Sequence, residues 1–153
     1  MPLTGDDTVN AIAITEALPP VSPRRLRAER RPRVLLIEDD PAQLRLYALA
    51  LQGAFDVLTA TRVETGLVLA ARESPDAVVT DVVLPDGDGL DIGRRLQANR
   101  ATAATPILVL TGDDAAYARA EHTRDFDAVL RKPCPADVLI AVIERAIAVR
   151  AIC

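Results

Sequence analysis

The chain holds a single lysine, a single histidine, no tryptophan and only four other aromatic residues, Tyr47, Phe55, Tyr117 and Phe126. With a formal net charge of −4, that scarcity leaves neither the stacking platform nor the basic surface that nucleic acids require, so nucleic acid is not an expected partner. The two cysteines, Cys134 and Cys153, have neither metal-ligand spacing nor a disulfide framework around them, which makes a reducing cytoplasm the expected compartment. No basic-then-apolar leader opens the chain and no uncharged run reaches membrane-spanning length, so neither export nor membrane insertion is expected. A P-loop and a Gly-x-Gly-x-x-Gly stretch are both missing, which removes the usual cradles for nucleotide phosphates.

What remains is a chain of 153 residues, half of them apolar, enough for one domain with a real core. Residues 1–30 stand apart: periodicity is weak, a Pro-Pro pair interrupts them, and six arginines fall between Arg24 and Arg33, so a flexible Arg-rich tail is expected there. From residue 31 to 153 a single domain is expected. Short apolar runs at 33–38, 55–59, 77–81, 106–111 and 127–131 alternate with helical periods, the first starting at Pro41 and the later ones near 62–73, 89–98, 114–122 and 136–152. The first helix is marked by Asp40 as N-cap, Pro41 in the first turn and Gly53 as its stop. Apolar strands separated by helix-sized segments imply a parallel sheet covered on both faces, a doubly wound α/β fold of five βα units.

In such a sheet ligands bind beyond the carboxyl ends of the strands, near the point where strand order reverses. The first strand ends in Glu38 and Asp39, the third in Asp81, the fourth in Thr111, and the fifth reaches Lys132. Three acids, a hydroxyl and an amine at four strand ends form a chemically complementary set that turn chemistry alone does not produce. Among the eighteen lysines and arginines, Lys132 is the one lysine, a compact point charge where a guanidinium fork would not fit. Oxygen ligands without His or Cys call for a hard cation, and an incomplete cage suits Mg²⁺. A divalent cation also explains how "VLLIEDDP" tolerates adjacent acids: Glu38 and Asp39 face the metal, while Asp40 belongs to the helix. Asp81 is then the expected nucleophile toward a phosphoryl group, and the Pro- and Gly-containing loop "VVLPDGDG" can bring the Val83 carbonyl to the metal.

Taken in order, "VLLIEDDP", "DAVVTDVVLPDGDG", "PILVLTG" and "LRKP" closely resemble the receiver domain of two-component response regulators, over about residues 32–150. The resemblance implies a flavodoxin-like (βα)5 fold with strand order 2-1-3-4-5 and Asp81 as acceptor of a phosphoryl group from a histidine kinase or histidine phosphotransfer protein. It implies Mg²⁺ on Asp39, Asp81 and the Val83 carbonyl, with Glu38 acting through water, and Thr111 and Lys132 on the phosphoryl oxygens. It also implies a cis peptide between Lys132 and Pro133. Three positions depart from the pattern. Val129 stands where the family usually has the aromatic residue that switches with the threonine, and a valine cannot swing as a ring does. "AEHTRDFDAV" lacks the common Gly-Ala before the fifth strand, and Cys134 replaces a bulky apolar residue.

No segment follows the last helix in this sequence, so the signal is expected to leave through a downstream protein partner or by onward phosphotransfer. That helix is apolar on two stripes: Leu139, Val142, Ile143 and Ala146 can pack on the sheet, and Ile140, Ile147 and Ala151 form a second stripe that could support a homodimer. His122 reads as a surface residue rather than a phosphodonor. Two rival readings differ in class. A haloacid-dehalogenase-like phosphatase needs an acid two residues after its nucleophile, where this chain has Val83. A partner-binding pseudo-receiver would be expected to have lost one of the five site residues, and all five are present. Enzymatic activity is expected to extend no further than assisting its own phosphorylation and hydrolysis.

Overall fold

The computed structural model describes residues 30–152. The expected tail therefore lies outside the described residues except for Arg30, whose guanidinium reaches Asp76 at 3.5 Å. The elements run β1 (Arg33–Ile37), α1 (Pro41–Leu51), β2 (Asp56–Ala60), α2 (Val63–Glu73), β3 (Ala77–Thr80), β4 (Val83–Leu84), β5 (Gly87–Asp88), α3 (Gly89–Ala98), β6 (Ile107–Thr111), α4 (Asp114–Glu121), β7 (Ala128–Arg131) and α5 (Ala136–Ile152). Five strands pair in parallel in the order β2-β1-β3-β6-β7, which is the expected 2-1-3-4-5 order of the main strands. The short β4 and β5 form a separate antiparallel hairpin inside "VLPDGDG", a stretch expected to be loop.

Because the sheet is covered on both faces, its central strands carry consecutive apolar residues, Val34–Ile37, Ala77–Val79 and Ile107–Leu110, rather than alternating ones. Along β1 the side chains still alternate in destination. Val34 and Leu36 join Tyr47, Leu51, Leu139 and Ile143 from α1 and α5, whereas Leu35 and Ile37 join Val63, Ala70, Ile92 and Leu96 from α2 and α3. A third cluster of Val82, Val109, Ala116 and Ala120 seats α4.

Carboxylates cap the starts of α1, α2, α3 and α4. Asp40 accepts from the amides of Ala42 and Gln43 at 2.9 and 3.0 Å, with Pro41 in the first turn, as the sequence implies. Gly53 does not act as a left-handed stop: α1 ends at Leu51 with Gln52 as an ordinary right-handed cap, and none of the described glycines has positive φ. The two stripes of α5 are also not equivalent to a buried and a free face. Ile140 and Ile147 are half-buried and pack against the same core cluster as Leu139, so the second stripe is largely consumed within the domain, leaving Ala151 exposed. The lack of one-sidedness in the helix reflects packing on a broad arc. Among the described residues, no helix is long and apolar enough to cross a membrane.

Candidate functional site

Strand register brings the candidate residues together. Ile37 lies opposite Thr80, and the Asp81 amide donates to the Ile37 carbonyl at 3.0 Å, so the residues that follow β1 and β3 leave the sheet side by side. On the other flank the Lys132 amide donates to the Thr111 carbonyl at 2.9 Å, which sets the lysine beside the end of β6. The peptide between Lys132 and Pro133 is cis, as the resemblance implies.

The carboxylates converge. One oxygen from each of Glu38, Asp39 and Asp81 lies within 4.8 Å of the others. Glu38 is 3% exposed, Asp81 is partly buried and Asp39 faces solvent. The Lys132 ammonium bridges two of them, at 2.5 Å from Glu38 Oε2 and 2.8 Å from Asp81 Oδ2. Asp81 Oδ1 accepts from the Val82 amide at 2.6 Å and, more weakly, from the Val83 amide at 3.4 Å. Glu38 Oε1 accepts from the Asp40 amide at 3.1 Å. Burial pushes the Glu38 carboxyl above its ordinary pKa; hydrogen bonds from Lys132 and the Asp40 amide oppose this without cancelling it, and the charge of Asp81 adds to it. For Lys132 burial acts downward, but the hydrogen bonds to Asp81 and Glu38 outweigh it and hold the ammonium above its ordinary pKa. One cation faces three carboxylates, so the site carries an excess of negative charge that a hard divalent cation on oxygen ligands would balance.

Not every candidate joins this cluster. Thr111 is buried at the end of β6, where its hydroxyl accepts from the Asp113 amide at 3.3 Å; its tie to the carboxylates runs through the backbone of Lys132. Val83 sits at the start of the β4–β5 hairpin with its side chain exposed. Val129 lies opposite Val109 in β7, half-buried beneath α4.

Four supporting residues escaped the sequence reading. The Thr80 hydroxyl donates to the Asp81 carbonyl at 2.8 Å. A Cβ placed on Gly89 would lie 1.9 Å from that same carbonyl oxygen, so the start of α3 rests directly on the backbone of Asp81. The paired aspartates of the "DGDG" loop cap two different helices: Asp88 accepts from Leu90 at the start of α3, and Asp86 accepts from Val63 and Glu64 at the start of α2. Asp88 stands where an N-cap is expected, one residue before a helical period, so it was findable. Asp86 acts across more than twenty residues and had no local signal.

The family profile described as the response regulator receiver domain matches residues 34–144. The chain belongs to that family. PilH of Pseudomonas aeruginosa is 29% identical over 121 residues, covering 76% of this chain and 98% of PilH. Several transcriptional regulators also match, and the chain spans less than half the length of each. Among solved structures, a sensor protein from Polaromonas sp. JS666 superposes with a TM-score of 0.72 at 31% identity, over 79% of this chain and 99% of that one. The receiver domain of the sensor histidine kinase PA1611 from Pseudomonas aeruginosa, solved with a magnesium ion coordinated in its active site cleft, has a TM-score of 0.71 at 24% identity, over 78% of this chain and 99% of that one. The last of these speaks to the fold of this receiver alone.

Proposed function

We propose that this receiver accepts a phosphoryl group on Asp81 from a phosphohistidine of a histidine kinase or phosphotransfer protein, and signals by changed binding of a downstream protein or by passing the group on. The observation that carries the reading is the arrangement of the Asp81 carboxylate: Oδ1 is fixed by the Val82 amide, Oδ2 by the Lys132 ammonium, and the Glu38 and Asp39 oxygens converge on it. In the transfer an Asp81 oxygen bonds to phosphorus while the bond from phosphorus to the donor's imidazole nitrogen breaks, and the imidazole leaves with the electron pair. Lys132 is placed to follow the new charge onto the phosphoryl oxygens. Thr111 lies one backbone hydrogen bond away as a second donor.

The donor set fits Mg²⁺: Asp39 and Asp81 as direct ligands, the Val83 carbonyl as a third, and Glu38 through water, which is the resemblance's assignment carried onto these positions. When bound, Mg²⁺ would supply neutralising charge for the incoming phosphoryl oxygens. Its removal is expected to be visible without any donor: millimolar Mg²⁺ raises the unfolding temperature near neutral pH, and chelator reverses the rise. An equal rise in Asp81→Asn would show that the ion sits elsewhere.

The test of the function is intact-protein mass after incubation with a small-molecule phosphodonor and Mg²⁺. A gain of one phosphoryl group, absent in Asp81→Asn and in chelator, is the expected result. Folded, metal-binding protein that gains nothing would turn the assignment toward a partner-binding pseudo-receiver.

A further inference from the structure

Helix α4 is tied to the phosphoacceptor region by three side-chain contacts. The Tyr117 ring on α4 lies beneath the Arg131 guanidinium, 4.1 Å from its carbon to the ring centroid. The same guanidinium forms an ion pair with Asp114 in the first turn of α4. One turn further on, Arg119 pairs with Asp88, the residue that caps α3 and precedes Gly89.

Arg131 is the pivotal member because of its neighbours. In the β6–β7 register it lies opposite Thr111, and it immediately precedes Lys132, whose ammonium bridges Glu38 and Asp81. Any movement of Lys132 toward a group on Asp81 therefore acts on the peptide that carries Arg131. By contrast Val129, two residues earlier, has no ring to move and is fixed opposite Val109. The aromatic side chain at this edge comes from the helix instead of the strand.

We propose that Tyr117 and Arg131 form a clasp through which phosphorylation at Asp81 is transmitted to α4, the guanidinium leaving the ring when Lys132 engages the phosphoryl group. The proposal rests on the assignment of Asp81 as phosphoacceptor. A guanidinium over a ring and an ion pair at a solvent-facing site are each weak contacts, so a small displacement of the strand end shifts their occupancy. The planar fork of arginine lets one side chain stack on Tyr117 and meet Asp114 together, so both contacts of Arg131 with α4 loosen in one movement.

The test uses isotope-labelled full-length protein and nuclear magnetic resonance. Protons of the Arg131 side chain held over the ring are shielded, and Tyr117→Leu gives their unshielded positions. On addition of Mg²⁺ and beryllofluoride, a phosphoryl mimic, they are expected to move at least half of the way toward the Tyr117→Leu positions. If the Thr111 and Lys132 amides shift while the Arg131 protons stay, the mimic has bound and the clasp is overturned. It is overturned too if Tyr117→Leu leaves those protons where they were, because then no stack exists in solution. A failure of the underlying assignment has a different signature: no mass gain at Asp81 and no shift at Thr111 or Lys132, which removes the proposal with it.

Discussion

Gly89→Ala is expected to cost about 3 kcal/mol or more of folding stability and to abolish phosphoryl acceptance, although the residue carries no functional group. The added Cβ would stand 1.9 Å from the Asp81 carbonyl oxygen, 2.8 Å from Val82 Cα and 2.9 Å from the Asp81 carbonyl carbon. All three are backbone atoms, so no side-chain rotation relieves the clash. Either α3 or the Asp81–Val82 peptide has to move. The first option breaks the 2.7 Å hydrogen bond from the Gly89 amide to the Val82 carbonyl; the second displaces the amide that fixes Asp81 Oδ1. Gly53→Ala is the control, because nothing lies within 4 Å of its added Cβ and its expected effect is within about 0.5 kcal/mol. Urea unfolding of the two variants decides the matter, and a loss below 1 kcal/mol for Gly89→Ala would mean that the α3 contact on Asp81 is looser than described.

The same loop shows what a sequence can and cannot convey. The five main strands were legible because a covered parallel sheet writes its central strands as apolar runs, and the strand ends were legible because Glu38, Asp39, Asp81, Thr111 and Lys132 interrupt or follow those runs with complementary chemistry. Asp40 and Pro41 announced α1 through local capping, which acts over three residues. The β4–β5 hairpin has two residues per strand, too few for any period to emerge. Asp86 capping α2 and Tyr117 stacking on Arg131 join residues far apart in the chain, and neither partner looks unusual in its own neighbourhood. The second stripe on α5 was visible as a pattern, yet only packing could reveal that Ile140 and Ile147 are spent on the domain's own core. Gly89 was hidden for a related reason: its role is to have no side chain where two backbones meet.

Lys132→Met is expected to separate the two tasks of the lysine, weakening the fold without metal while tightening the grip on Mg²⁺. Glu38 is almost fully buried, and Lys132 is the cationic partner it shares with Asp81. Removing the ammonium leaves two carboxylates facing each other with Asp39 beside them. Breaking a buried pair in this way costs about 3–5 kcal/mol where the remaining charge is sealed from water; with Asp39 open to solvent a loss of about 2–3 kcal/mol is expected in chelator. The pH dependence gives a second handle. Because the folded protein holds Lys132 above its ordinary pKa, the lysine's contribution is fully present below about pH 10 and is lost as pH rises through the folded value. The stability difference between wild type and Lys132→Met should therefore shrink at high pH. Mg²⁺ narrows the gap, since in the variant the ion no longer competes with a fixed positive charge across the same carboxylates. An unscreened like charge a few ångströms away is worth more than 1.4 kcal/mol even in a watery site, so affinity should rise on the order of tenfold. Calorimetric Mg²⁺ titration beside chelator-state unfolding measures both quantities. Unchanged affinity together with unchanged stability would show that the ammonium lies outside the carboxylate cluster in solution, whereas the expected pair of opposite effects makes Lys132 the resident counterion that a metal and a phosphoryl group displace together.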